Sequence, residues 1–137
     1  MVVKIVNSTY DEIIKHAEAG YPEEVCGVLI GKNGSITNYK ECRNLNRERA
    51  RDRYELDPIF FKEADDWARL NSMEILGIYH SHPDHPSRPS MFDRERAWPD
   101  WIYIILSINH SKYSDGRAWI LHDFDSPFLE EKIELVL

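Results

Sequence analysis

The chain has 137 residues, 42% of them apolar and 12% aromatic, which suits one hydrophobic core over residues 1–137 and excludes a disordered polypeptide. Acidic side chains outnumber basic ones, 24 to 17, and the formal charge of −7 opposes nucleic acid as a partner. Met1 to Asn7 is too short, and too interrupted by Lys4, for an export signal, and the longest apolar run, Trp101 to Ile108, is far below membrane length, so a soluble cytoplasmic protein is expected.

The first predicted element is a helix from Thr9 to Ala19. Tyr10, Ile13, Ile14 and Ala17 recur at helical spacing, Thr9 with Glu12 reads as a capping box, and Gly20 as the stop. After Pro22-Glu23-Glu24 comes an apolar strand, Val25 to Gly31, turning at Asn33-Gly34, the strongest two-residue hairpin signal, into a second strand from Ser35 to Cys42. Cys26 and Cys42 are the only cysteines and are expected to be reduced thiols, Cys26 as packing. The next stretch concentrates Arg43, Arg47, Arg49, Arg51 and Arg53 against the acidic background, interleaved with Glu48 and Asp52. It is read as a solvated loop or as a docking surface for an acidic partner. Without interleaved aromatic residues it does not suit base stacking.

A second helix begins at Pro58 with Asp57 as cap, and its stripe of Phe60, Ala64, Trp67 and Ala68 is predicted to face the core. Glu74 to Tyr79 then reads as a strand ending in His80-Ser81-His82. Residues i and i+2 of a strand share a face, so both imidazoles can reach one ion, which a helix would not allow. Pro83 to Ser90 carries three prolines and no apolar period, a stiff loop that returns the chain to Asp93. Ser90 with Asp93 also reads as the cap of a helix starting near Met91. Further strands are expected from Trp101 to Ile108, from Arg117 to Phe124, and at the end, where Ile133, Leu135 and Leu137 alternate with polar residues. Together these elements predict an α/β fold, a mixed sheet flanked by helices.

Two imidazoles and a carboxylate leave a fourth position open, which separates hydrolytic zinc sites from structural ones closed by four protein ligands. Zinc would lower the pKa of its water toward about 7 and polarise a carbonyl, and a nearby carboxylate could then take the proton. Spacing alone does not choose between Glu23 and Glu24 for that task. His85, in the loop after the metal strand, is read as a solvent-exposed residue, with contact to substrate as the alternative; His16, His110 and His122 match no motif and receive no role.

A Glu, then His-x-His, ten residues, then Asp resembles the JAMM, or MPN-plus, zinc metalloproteases. The surrounding words are similar too: Glu24-Val25-Cys26-Gly27 before a strand, Gly77-Ile78-Tyr79-His80-Ser81-His82-Pro83 on the metal strand, and Pro89-Ser90 with Asp93 closing the loop. The resemblance covers roughly Tyr10 to Asp123. It implies His80, His82 and Asp93 as zinc ligands, Glu24 as general acid and base, and Ser90 as hydrogen-bond donor to the oxyanion. It also implies a curved, partly closed sheet related to the cytidine-deaminase fold, although no Cys-x-x-Cys ligand pair for deaminase chemistry is present.

The substrate class the resemblance implies is an amide or isopeptide bond after the C-terminal tail of a ubiquitin-like protein. The long insertion of many eukaryotic deubiquitinases is missing, since only Asn109 to Gly116 separates two strands, so the chain looks like the prokaryotic members linked to sulfur carriers with a Gly-Gly tail. A narrow groove near His80 is expected, admitting the tail as an added strand. A non-catalytic MPN scaffold is the alternative from another class, distinguished by whether all five positions are filled. Bacterial RadC-like proteins share the His-x-His and Asp pattern, which keeps a different role open. Oligomeric state cannot be read from the sequence.

Overall fold

A computed structural model describes residues 2–137. Its elements follow one another as β1 (Val2–Val6), α1 (Asn7–Gly20), β2 (Cys26–Lys32), β3 (Ser35–Cys42), α2 (Pro58–Leu70), β4 (Glu74–Pro83), α3 (Met91–Arg96), β5 (Ile102–Asn109), β6 (Lys112–Ile120) and β7 (Leu129–Val136). The strands form one mixed sheet in the order β1-β3-β2-β4-β5-β6-β7, curled until β1 pairs with β7 and closes it. This is the curved α/β sheet with flanking helices that the sequence predicts.

Strand β2 shows how the core divides. Leu29 packs with Tyr10, Ile13 and Ala17 of α1 and with Tyr79, Ile104 and Leu106. Its neighbours Val28 and Ile30 point the other way, with Cys26 and Cys42, onto Ala64 and Ala68 of α2. Alternation along a strand thus places α1 and α2 on opposite faces. The turn between β2 and β3 has φ of 53° at Asn33 and 76° at Gly34, the left-handed conformation that Asn-Gly tolerates. Helix α2 begins as expected, with the Asp57 side chain accepting a hydrogen bond from the Ile59 amide at 2.9 Å.

Several expectations need correction. Helix α1 starts at Asn7 and runs through Gly20; its N-cap is Val6, without a side-chain cap, and Thr9 instead donates to the Thr37 carbonyl at 2.7 Å. Val2–Val6 form strand β1, which pairs in parallel with both β3 and the last strand, β7. On α2, Ala64 and Ala68 touch the sheet and Phe60 is half-buried, but Trp67 is 41% exposed, because the two small residues set the line of closest approach and leave the indole at its margin. Strand β6 begins at Lys112, so His110 and Ser111 alone, both at positive φ, turn the chain back from β5. In β7, Ile133 reaches the core while Leu135 is 49% exposed. Cys26 and Cys42 are buried free thiols, as expected. Among the described residues no helix is long and apolar enough to cross a membrane.

Candidate metal centre

Strand β4 lies between β2, antiparallel, and β5, parallel, so its end is held on both sides. His80 pairs in register with Cys26 and Ile105, and His82 with Ser107. The two imidazoles share one face, with their Nε2 atoms 3.2 Å apart. Ser81, between them, faces away and grips the entrance of β2: its hydroxyl accepts from the Val25 amide at 2.9 Å and its own amide donates to the Val25 carbonyl at 3.1 Å.

The loop after β4 returns the chain through Ser90 into α3, where Asp93 completes a triangle. Its Oδ2 lies 3.2 Å from His80 Nε2 and 3.0 Å from His82 Nε2. The capping box is present as well: Ser90 Oγ accepts from the Asp93 amide and the Ser90 amide donates to Asp93 Oδ2, both at 3.0 Å. The helix cap therefore aims the carboxylate at the imidazoles, so the cap reading and the ligand reading describe one arrangement. Accepting through Oγ leaves the Ser90 hydroxyl proton free to donate.

Glu24 stands beside this triangle, just before β2, with one carboxylate oxygen within 4.8 Å of a ring nitrogen of each imidazole. Its backbone is pinned by its amide donating to the Ala50 carbonyl and by Asn44 Nδ2 donating to its carbonyl at 3.1 Å. Glu24 is 4% exposed, whereas Glu23 is exposed, which separates two residues that spacing left equivalent. Its Oε1 is buried without a hydrogen-bond partner among the described residues.

The electrostatics follow from this crowding. Burial, reinforced by the charges of Asp93 and Asp52, pushes the Glu24 carboxyl up to about 9. Burial also acts to raise Asp93, but His80 and His82 outweigh it and hold that carboxyl well below the usual range. Burial lowers the His80 imidazole, with Asp93 opposing.

The donor set fits a zinc ion. His82 Nδ1 lies 2.7 Å from the Pro86 carbonyl, to which it donates, so neutral His82 presents a bare lone pair at Nε2. Between that nitrogen and the carboxylate oxygen 3.0 Å away there is room for a proton, which keeps Asp93 ionised, or for a shared cation in its place. Tetrahedral bonds of about 2.0–2.1 Å put ligand atoms roughly 3.3 Å apart, close to the observed triangle. Asp93 supplies its third corner, and Glu24 stands outside it.

A cleft of about 450 Å³ opens in front, lined by Glu24, His82, Ser90, Phe92, Arg53 and Arg88. It meets the site at His82; His80 is 1% exposed and lies behind, so the groove expected near His80 opens one ligand further along. Of the arginine segment, Arg49 is bonded to Asp52 and Arg53 lies over the Phe92 ring at 4.5 Å, so part of it forms the cleft wall, while Arg43 and Arg47 are exposed. His85 is exposed on the rim. Three positioning residues escaped sequence reading: Ser81, Asn44, and Tyr54, which stacks on His80 with ring centroids 4.4 Å apart. Only Ser81 carried a signal, its place between the two histidines.

Residues 6–122 match the family model described as prokaryotic homologs of the JAB domain. The chain is 40% identical to a protein of Haloferax volcanii named desampylase over 117 residues, covering 78% of this chain and 77% of that one. It is 28% identical over 127 residues to a Mycobacterium tuberculosis protein named CysO-cysteine peptidase, covering 90% and 84%. It is also 38% identical over 89 residues to the tail tip assembly protein K of Escherichia phage N15, a match of 65% of this chain but spanning only 34% of that longer protein. Among solved structures, protein DSY2949 of Desulfitobacterium hafniense superposes with a TM-score of 0.82 at 27% identity, covering 99% and 93% of the two chains. The JAB1/MPN domain protein AF2198 of Archaeoglobus fulgidus does so at 0.59 and 17%, covering 97% and 98%, a likeness of fold.

Proposed function

Since the chain belongs to the family of prokaryotic homologs of the JAB domain, we propose that it is a zinc-dependent metallopeptidase that cuts the amide or isopeptide bond after the Gly-Gly tail of a ubiquitin-like protein, a sulfur carrier above all. The observation that carries this reading is the Nε2, Nε2, Oδ2 triangle of His80, His82 and Asp93 with an unpartnered buried carboxyl, Glu24, beside it. Relatives named desampylase and CysO-cysteine peptidase support the substrate class. We read residues 1–137 as one such domain, since β1 and β7 are both needed to close its sheet.

His80, His82 and Asp93 would hold the ion. When bound, zinc supplies Lewis acidity, lowering the pKa of a water toward about 7 and polarising a carbonyl. With a divalent cation beside it, the Glu24 carboxyl, which burial raises to about 9, would be drawn back down and could serve as a base at neutral pH. Its Oε1 takes a proton from the attacking water and passes it to the departing amine. The Ser90 hydroxyl, oriented by the Asp93 amide, donates to the oxygen that gains charge in the transition state. A Gly-Gly tail suits the approach, because residues without Cβ pass closest to the His82 wall of the cleft.

The test is the metal content of the purified protein measured alongside cleavage of a fusion to a Gly-Gly-tailed ubiquitin-like carrier, for wild type, Glu24→Gln and His82→Ala. We expect about one zinc and cleavage for wild type, zinc without cleavage for Glu24→Gln, and neither for His82→Ala. A wild type that binds no metal and cuts nothing overturns the proposal in favour of a binding scaffold.

A further inference from the structure

The two imidazoles of the triangle are held by different means. A metal-ligating histidine ordinarily donates its second ring nitrogen to a carboxylate or carbonyl, which fixes ring angle and tautomer. His82 does so through Nδ1 and the Pro86 carbonyl, at 2.7 Å. His80 does not: its Nδ1 is buried with no hydrogen-bond partner among the described residues.

What His80 has instead is a face. Tyr54 lies over its ring with centroids 4.4 Å apart and planes 26° from parallel, an offset stack rather than an edge contact. The backbone of Tyr54 is bracketed by a single side chain. Asn44 Nδ2 donates to the Arg53 carbonyl at 3.1 Å on one side, and Asn44 Oδ1 accepts from the Glu55 amide at 3.0 Å on the other. The same Nδ2 donates to the Glu24 carbonyl, so one amide group references the stacked ring and the Glu24 backbone to a common point. Asn44 pairs with Leu56, and the Leu45 amide donates to the Glu55 carbonyl at 2.9 Å, which closes residues 44–56 into a braced loop.

We infer that Tyr54 is a positioning residue for the metal centre: its ring, held by Asn44, sets the orientation of His80 in place of the hydrogen bond that His80 Nδ1 lacks. The inference rests on the metal reading of the site and concerns affinity for the ion, separately from turnover. It requires the aromatic face and not the hydroxyl, so Phe must replace Tyr54 and an aliphatic residue of similar bulk must not.

Chelator-stripped wild type, Tyr54→Phe and Tyr54→Leu are titrated with zinc against a competing chromogenic chelator, and the metal-free melting temperature of each is recorded. Wild type and Tyr54→Phe are expected to agree within about twofold. Tyr54→Leu is expected to bind about 10–100-fold more weakly, the usual cost of losing a ligand's supporting partner, while melting within a few degrees of wild type. Tyr54→Leu binding like wild type, or Tyr54→Phe losing as much as Tyr54→Leu, overturns the inference alone. A wild type that takes up no zinc overturns the metal reading and the inference together. Should Tyr54→Leu not fold, Tyr54→Met is read in the same way. If neither folds, Tyr54 is a core residue and the positioning role is rejected.

Discussion

Replacing Glu24 with Gln tests the electrostatics of the site without using turnover. In the metal-free protein burial, with the charges of Asp93 and Asp52, pushes the Glu24 carboxyl from an ordinary value of 4.5 up to about 9, the side chain being 4% exposed. A raised folded-state pKa means that the folded chain keeps its proton where the unfolded chain has released it. Its contribution to stability is therefore complete below about 4.5 and is lost as pH climbs to about 9. Gln has the shape of the protonated side chain and does not titrate, so the variant escapes the loss. One pKa unit corresponds to about 1.4 kcal/mol. The stability of metal-free Glu24→Gln over wild type should accordingly widen by up to about 1.4 kcal/mol per pH unit between pH 5 and 9, to an upper bound of about 6 kcal/mol. The assay is urea unfolding followed by circular dichroism, with a chelator present, at each pH. A difference that stays level from pH 5 to 9 would refute the reasoning, since it would mean that Glu24 titrates normally. Adding zinc to wild type should shrink the gap, because the cation brings the carboxyl down.

Two further outcomes follow from the geometry. Ser90→Ala removes the acceptor for the Asp93 amide and should lower stability by about 1 kcal/mol, while also cutting kcat by about 10²–10³-fold with KM little changed; thermal melts and steady-state kinetics at matched metal content separate the effects, and an unchanged kcat would remove Ser90 from the chemistry. Gly77→Ala would drive a methyl into the Ile102 carbonyl oxygen, forcing β4 and β5 apart just before His80, and should cost about 1–3 kcal/mol in a chemical denaturation experiment together with zinc affinity; a variant as stable as wild type would show that the strands are not in this register.

The parts of this molecule that sequence rules describe well are those set by neighbours along the chain. The Asn33-Gly34 turn, the Asp57 cap, the Ser90 and Asp93 box and the shared face of His80 and His82 each depend on residues within a few positions. What sequence could not supply is set by partners far away. Glu23 and Glu24 are neighbours with the same chemistry, and burial separates them only because Asn44 and Ala50 fold over the second. The Thr9 and Glu12 pattern suits a helix start, yet Val2–Val6 enters the sheet and draws the helix back to Asn7, where Thr9 is spent on the Thr37 carbonyl. Alternation in the last strand correctly marks Ile133, which packs against the core, but overstates Leu135, which shares its face and is still 49% exposed. Tyr54 carried no signal, since an aromatic residue after a run of charges has no local reason to meet a histidine 26 positions on.

The grip of Ser81 on Val25 bears on how this protein tolerates change. The spacing between the two imidazoles and Glu24 is set by paired backbone in adjacent strands, so a shift of β4 carries β2 with it and keeps Glu24 aligned with both rings, while Asp93, on α3, stands outside that coupling. Exposed positions such as Arg43, Arg47 and Arg88 stand outside that frame. They can be exchanged without disturbing the backbone pairing that spaces His80, His82 and Glu24, so that the outer surface and the geometry of the site are mechanically uncoupled within a small domain.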